Sequence, residues 1–468
     1  MSQATTASPF TITNVKLYIL FRIFFNARFY YPIFTILFID FGLTVAQFSI
    51  LNSIWAATIV LAEVPSGALA DTIGRRKLLR LTGWLMVFEI SLLAFAPKGN
   101  PQLLFAIFAI NRILSGLAEA AASGADEALA YDSLKFSGKE HLWGSVLESQ
   151  MRWQSLGFIV AMTIGAAVYD PATVQIAADW AGLATVITRE TTLRIPLFLT
   201  LVMALATLVI THRFKELRAN EPITPKKHTP GQPPLRQAFH LTFETGRWIL
   251  KTHWVLVIIT AGFVFDGIAR MVITLSSQYY RVIELPEASY GIIGAGVAML
   301  GLVLPKITRR LSEYRSIRFN FGVMALLSLI GLAGMNLFIP YHGLIPAVIL
   351  FSVMYFNGFF ISDYLNRMTP SNRRATVLSF KGLSYNLVYG ILGILYSILL
   401  AGTRPGVKET QPETYGDLIE NLVFVKSFIW FPFTLMVMLA LFICLALWRL
   451  GRERRFLSQP VKNNPAAL

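Results

Sequence analysis

Residues 63–77 read EVPSGALADTIGRRK. An apolar run leaves through Glu63 and Pro65, crosses Gly67, drops one anion at Asp71, turns at Gly74 and stops on Arg75, Arg76 and Lys77. A water-soluble helix has no use for two glycines and a single aspartate at those intervals. A helix that crosses a bilayer does. The run before it is long enough to span the hydrocarbon, and the cations stay in water on one side. The stretch therefore reads as the exit of a membrane span.

The composition agrees. Of 468 residues, 55% are hydrophobic and only 14% are charged, and the mean hydropathy is +0.57. A soluble chain of this length needs a larger polar surface. Spans of ~20 apolar residues recur from end to end. Spans 1 to 6 fall at about 17–40, 45–70, 78–96, 102–124, 145–168 and 194–211. Spans 7 to 12 fall at about 253–280, 288–305, 317–339, 343–364, 377–400 and 419–448. The expected fold is an all-α polytopic membrane protein of 12 transmembrane helices in two pseudo-symmetric six-helix bundles. The expected division is an N-terminal bundle at 1–211, a cytoplasmic linker at 212–252, a C-terminal bundle at 253–448 and a cytoplasmic tail at 449–468.

The linker holds THRFKELRANEPITPKKHTPGQPPLRQ, rich in Pro and Lys/Arg, with an amphipathic segment following near 238–251. Between spans 5 and 6, residues 169–193 form a longer loop whose VQIAADWAGLATVI reads as a surface helix. The first residues, MSQATTASPFTITNVK, lack a basic start followed by a short apolar core, so no cleaved signal peptide is expected. The one cysteine, Cys444, excludes a disulfide framework and a cysteine metal site.

Charge sets the orientation. With the N-terminus inside, 28 of the 41 Lys and Arg fall on inner segments and six on outer ones (Lys98, Arg189, Arg194, Arg281, Arg404 and Lys408). That asymmetry puts both termini in the cytoplasm. It also accounts for the net charge of +15 without nucleic acid, because the cations are spread over every inner loop.

The opening stretch is then the inner loop between spans 2 and 3. It resembles the loop signature of the major facilitator superfamily, G-x-x-x-D-x-x-G-R-[RK], at Gly67, Asp71, Gly74, Arg75 and Arg76. Span 4 adds NRILSGLAEA, similar to the family's R-x-x-x-G at Arg112 and Gly116. The two-times-six layout extends the resemblance over nearly the whole chain. By resemblance the loop is half of a gate. Asp71 meets a helix N-terminus, Arg75 and Arg76 reach carboxylates at the inner end of span 4, where Asp126 and Glu127 sit, and the latch holds the outward-facing state. A Gly-Pro pair of drug-exporting members is missing from span 5, which reads LGFIVAMTIGAAV.

An internal repeat supports two related halves. GLVLPKITRR places Gly301, Arg309 and Arg310 at the spacing of Gly67, Arg75 and Arg76, with Pro305 and Thr308 in place of Asp71 and Gly74. Asp132 maps on Asp363 and Ser145 on Thr376. Aligning AQFSIL after span 1 with ASYGII after span 7 gives a shift of 242, which places Arg28 on Arg270.

Ionisable groups inside spans cost ~2.5–3.5 kcal/mol each and face a bundle interior or cavity, so function is sought there. Spans 1, 4, 7 and 10 line the cavity in the fold that the resemblance implies. Arg28 and Arg270 form a candidate clamp for a carboxylate or phosphate, with Asn26 beside Arg28. Asp266, one turn before Arg270, is alternatively its internal counter-ion. Arg112 is a candidate for substrate or proton coupling. Glu119 is a candidate proton carrier, since protonation neutralises a carboxylate that burial makes costly. The alternative is an ion pair that only orders the bundle. Glu63 is a second proton candidate, or a partner of Arg22. Tyr30, Tyr355 and Asn357 are candidates to line the cavity. Glu89 has no evident partner. Lys381 and Arg152 read as gate or interface residues.

The function expected is secondary active transport of a small organic solute, proton-coupled, with a bias toward anionic substrates. The alternative is proton-driven efflux of lipophilic or drug-like compounds. No G-x-x-x-x-G-K-[ST] occurs to supply ATP drive. An enzyme is not expected: the six histidines fall in loops or helix ends and no H-E-x-x-H is present. Expected partners are the solute, protons and the lipid bilayer, with no cofactor, metal or nucleic acid, for a monomer in the plasma (bacterial inner) membrane.

Overall fold

Bilayer hydrocarbon offers no water to a backbone N–H or C=O, so each must be bonded within the chain, and the helix does this locally. The computed structural model describes residues 8–123, 125–215, 234–369, 374–413 and 415–451. Among them every regular element is helical. The order begins α1 (Thr13–Asn26), α2 (Phe34–Phe41), α3 (Val45–Ile73), α4 (Arg75–Ala94), α5 (Pro101–Ala122), α6 (Ala125–Phe136), α7 (Trp143–Tyr169), α8 (Pro171–Trp180), α9 (Arg189–Thr192) and α10 (Ile195–Arg213). It continues α11 (Pro234–Lys251), α12 (His253–Thr274), α13 (Ser276–Val282), α14 (Ser289–Tyr314), α15 (Ile317–Met335), α16 (Leu344–Met368), α17 (Arg374–Thr410), α18 (Asp417–Ser427) and α19 (Trp430–Leu450). The central linker, 216–233, and most of the tail, 452–468, lie outside the described residues, as do the side chains of Asp71 and Thr376.

By length and composition, 10 of the described helical stretches can cross a membrane. They are spans 2 and 4 to 12. Span 3 misses the count because α4 starts on Arg75, Arg76, Lys77 and Arg80 and carries Glu89 mid-helix. Span 1 misses it because it is broken. The burial pattern is that of a membrane protein. Leu81, Trp84 and Phe88 make an exposed apolar stripe on α4, while Arg28, Glu89, Asn111, Arg112, Asp266 and Asn357 are buried.

The contacts gather the chain into two compact units, Met1–Pro32 with Thr58–His240, and Ile33–Ala57 with Leu241–Leu468. In the first, α1 packs on α6, α7 and α10, and α4 packs on α5 and α10. The second repeats this plan: α12 packs on α16, α17 and α19, and α15 packs on α16 and α19. The internal repeat read from sequence is thus a repeat of packing.

Residues 33–57 belong to the second unit although they come from spans 1 and 2. The amide of Thr35 donates to Ser277 Oγ at 3.0 Å, across a separation of 242 residues. That separation equals the repeat shift, so equivalent positions of the two halves meet. The Thr35 hydroxyl donates to the Thr274 carbonyl at 2.7 Å. The start of α3 lies along α17, where Gly390 and Gly393 face Ser49, Ser53 and Ala56. Small residues on both sides let two membrane helices approach closely.

The break in span 1 follows from its sequence and is stitched into the first unit. Pro32 has no N–H to continue a helical ladder. Residues 27–30 are non-helical and Tyr31–Ile33 form a single 3-10 turn. The freed Phe29 amide donates to Thr200 Oγ1 of α10 at 3.0 Å, and the Phe29 carbonyl lies against Gly165 of α7, where a Cβ would overlap it. Gly165→Ala is therefore expected to cost about 1–3 kcal/mol by overpacking and to lower the melting temperature in detergent. Gly296→Ala, where a Cβ meets nothing within 4 Å, is the control. Equal melting of the two variants would show that the break does not rest on α7.

Candidate functional site

Arg28 stands in the broken stretch, where no helix dictates its direction. Its Nη1 donates to Glu89 Oε1 of α4 at 2.6 Å and to the Tyr30 hydroxyl at 3.1 Å. Its Nη2 is 3.8 Å from Glu119 Oε1 of α5. The Arg28 and Glu89 side chains are 1% and 0% exposed, whereas Glu119 keeps 35% of its surface. One cation is thus shared by a sealed carboxylate and a half-open one. Asn111 of α5 donates to the Glu89 carbonyl at 2.8 Å and accepts from Arg112 Nε at 2.9 Å, which fixes the two helices at this depth. Chemically the cluster is an ion pair with a second, partly exposed carboxylate.

The equivalent place in the second unit differs. Arg270 stays in a continuous helix, bridges Asp266 one turn earlier at 2.7 Å and donates to Asn386 of α17 at 2.9 Å. Its guanidinium lies 5.7 Å from the Tyr389 ring. Asp266 is therefore the internal counter-ion of Arg270. Each of the two candidate clamp arginines thus has a carboxylate partner, Glu89 for Arg28 and Asp266 for Arg270. Tyr30 is sealed against Arg28 and is 1% exposed. Asn357 is buried too and donates to the Gly262 carbonyl of α12 at 3.1 Å. Asn26 bonds back to the Arg22 carbonyl at 2.7 Å, and Tyr355 donates to the Val297 carbonyl at 3.0 Å.

At the signature loop, Gly74 joins α3 to α4 with φ of 94°, a backbone setting that glycine adopts without strain. Gly67 is exposed on α3. Arg75 pairs with Asp132 of α6, not with Asp126 or Glu127 as the resemblance implied. Arg76 follows it, half-buried. Asp126 is already engaged: Arg22 of α1 holds it through Nε at 2.5 Å and Nη2 at 3.1 Å. Its Oδ1 also accepts the Glu127 amide at 2.7 Å, while the Glu127 side chain is exposed. Glu63, half-buried above Pro65, therefore does not receive Arg22. The repeat counterpart is rewired: Asp363 pairs with Arg367 at 2.8 Å and accepts from Ser312, and Arg309 turns to Glu313 at 2.9 Å.

A sequence model described as the Major Facilitator Superfamily matches residues 17–393. The chain belongs to the Major Facilitator Superfamily. Its solved neighbours carry the same fold. The nucleoside transporter NupG is 12% identical with a TM-score of 0.65, covering 92% of this chain and 98% of its own. A bacterial homologue of the human lysosomal transporter Spinster, solved inward-facing and unoccupied, is 14% identical with a TM-score of 0.64, covering 97% and 98%. A D-xylose–proton symporter is 13% identical with a TM-score of 0.59, covering 90% and 97%. No curated protein matches the sequence. Membership makes the protein a multi-pass membrane transporter, not an enzyme.

Within this superfamily fold the second unit holds an ionic clasp that the sequence reading passed over. Arg281 of α13 grips Asp40 of α2 with both Nη atoms, at 2.7 and 2.9 Å. It also meets Glu287 at 2.8 Å and Asp417 at 3.6 Å. Nearby, Glu420 of α18 accepts the Val45 amide that opens α3 at 2.9 Å and pairs with Arg404. A shift of 242 carries Asp40 to position 282, next to Arg281. The repeat that aligned the arginines was therefore also the signal for this clasp.

Proposed function

We propose that the protein is a secondary active transporter that moves a small organic solute by alternating access, coupled to protons through Glu119. The observation that carries this is the asymmetry around Arg28, one guanidinium between a sealed Glu89 and a half-open Glu119. With Glu119 ionised, Arg28 is drawn by two carboxylates. With Glu119 protonated, it belongs to Glu89 alone. Arg28 lies four residues before the chain passes from one compact unit to the other, between Pro32 and Ile33. A proton on Glu119 is thus read out where the chain changes unit. The Arg75–Asp132 pair and the Arg281 clasp are the two gates in this reading. By the charge of the loops, the first lies in the cytoplasm with both termini. The membrane is a plasma membrane and the working unit a monomer.

The substrate reading shifts with the geometry. An anionic preference drew on the Arg28 and Arg270 clamp, and both arginines have carboxylate partners. This favours a neutral solute, and it keeps export of lipophilic compounds as the second reading.

The test is reconstitution. Solutes are screened by the rise in melting temperature that a ligand binding only the native state produces. Hits are then followed in proteoliposomes under an imposed proton gradient. Gradient-driven accumulation should collapse with an uncoupler. Glu119→Gln should lose accumulation while keeping solute exchange. Accumulation by the Glu119→Gln protein at the wild-type level would remove Glu119 from the mechanism.

A further inference from the structure

The segment between α7 and α10 is a built lobe that transport does not explain. Asp170 alone separates α7 from α8, and its carboxylate caps α8 through the Thr173 amide at 3.2 Å and hydroxyl at 2.6 Å. The return chain is bound to α8 by one side chain. Gln175 donates to the Thr185 carbonyl at 3.1 Å and accepts the Ile187 amide at 2.7 Å. Two arginines then pin the lobe to the ends of membrane helices. Arg189 donates to the Tyr169 carbonyl that ends α7 at 2.8 Å and lies 4.4 Å over the Tyr169 ring. Arg194 donates to the carbonyl of Ala94, which ends α4, and to that of Ala96 just past it, each at 2.6 Å. A third tie joins Lys98 to Glu190 at 2.7 Å.

This rigid lobe turns its apolar residues outward. Ile176 is 63% exposed, Trp180 91%, Leu183 57% and Val186 85%. Ile176 and Trp180 are one turn apart on α8 and share a face. Leu183 and Val186 follow on the chain that Gln175 holds against it. The two arginines are spent on helix-end carbonyls, and the one charged residue between 171 and 188, Asp179, accepts from Gln175 at 2.7 Å. The pins tie the lobe to the ends of α4 and α7 and the start of α10, where the chain leaves and re-enters its membrane-length helices. Tryptophan favours a membrane–water boundary because its ring is amphipathic.

We infer that residues 171–188 form an interfacial foot. Ile176, Trp180, Leu183 and Val186 enter the headgroup–acyl boundary of the phospholipid leaflet at that end of the first unit. The partner is the lipid surface around the protein's own membrane helices, and the foot fixes the depth at which α7 and α10 sit.

Spin labelling decides it. The only cysteine is Cys444, so Cys444→Ser gives a clean background for Trp180→Cys and Val186→Cys. The labelled full-length protein is placed in phosphatidylcholine nanodiscs. Both labels should be reached by oxygen and shielded from a water-soluble nickel chelate, with values between those of a label at lipid-facing Ile110 and one at exposed Tyr415. Full access of both labels to the nickel chelate would show a lobe standing free in water and would overturn the proposal. Spin–spin broadening in discs loaded with two copies, absent with one, would overturn it in favour of contact between copies. Both positions are exposed, so the labels do not threaten folding, and the readout needs no known substrate. It therefore stands or falls apart from the transport reading.

Discussion

Glu89→Gln is expected to cost about 3–5 kcal/mol of stability and to abolish transport, because it leaves the buried Arg28 without its close partner. Glu119 is no substitute. It sits 3.8 Å away, against 2.6 Å for Glu89, so its attraction is weaker. The measurement is thermal unfolding of the detergent-purified variant beside the wild type. Folding and function can then be separated. An apolar pair of similar volume, Arg28→Met with Glu89→Leu, should recover most of the melting temperature, since replacing both partners of a buried pair is often neutral. It should not recover proton-driven transport. Full transport by the apolar pair would show that the charge cluster is scaffolding. Wild-type stability of Glu89→Gln alone would show that Arg28 is held by something else.

The second large effect belongs to Arg281. Arg281→Gln removes the cation that Asp40, Glu287 and Asp417 share. Asp40 is 4% exposed and Glu287 14%, so the loss is little screened. Arg281 keeps 15% of its surface, and a loss of about 2 kcal/mol is expected after discounting for that access. The larger consequence is local. The bond from α2 to α13 is the ionic hold of residues 33–57 on the second unit. Hydrogen exchange should rise at least tenfold in peptides covering Phe34–Phe41 and Ser276–Val282, and stay unchanged in α4 and α5. Transport should slow, because one of the two closed states no longer holds. Arg281→Lys should recover part of the protection. Unchanged exchange in α2 would mean that the contacts of Thr35 with Ser277 and Thr274 hold the segment without Arg281.

Much of the fold was legible because a bilayer leaves few choices. Run length gave the spans, and the 242-residue shift read from the repeat is also the separation at which Thr35 meets Ser277. The site was harder. Periodicity gives the depth of a charge in a helix but not the neighbour it points to. Arg28 therefore read as half of a clamp and Glu89 as a residue with no evident partner, although the two pair with one another. Two lone opposite charges in mid-span were the missed signal. Arg75 was expected at the start of α6, but Arg22 occupies Asp126 there and the next carboxylate facing it is Asp132. Pro32 announced a kink. It did not announce that the stretch before it would lean on Gly165 and Thr200, since neither is near it in sequence.

The placement of residues 33–57 in the second unit has a consequence for how the protein is made. Ser277 leaves the ribosome 242 residues after Thr35. At about 5–20 residues per second that is roughly 12–50 s. During this time α2 and the opening turns of α3 are in the membrane without the helices that satisfy Asp40, the Thr35 hydroxyl and the Val45 amide. The insertion machinery has to shelter these groups until α12, α13 and α18 arrive. A chain truncated at the linker would strand them permanently. The first half expressed alone should be a target of membrane quality control, and co-expression of the second half should rescue it.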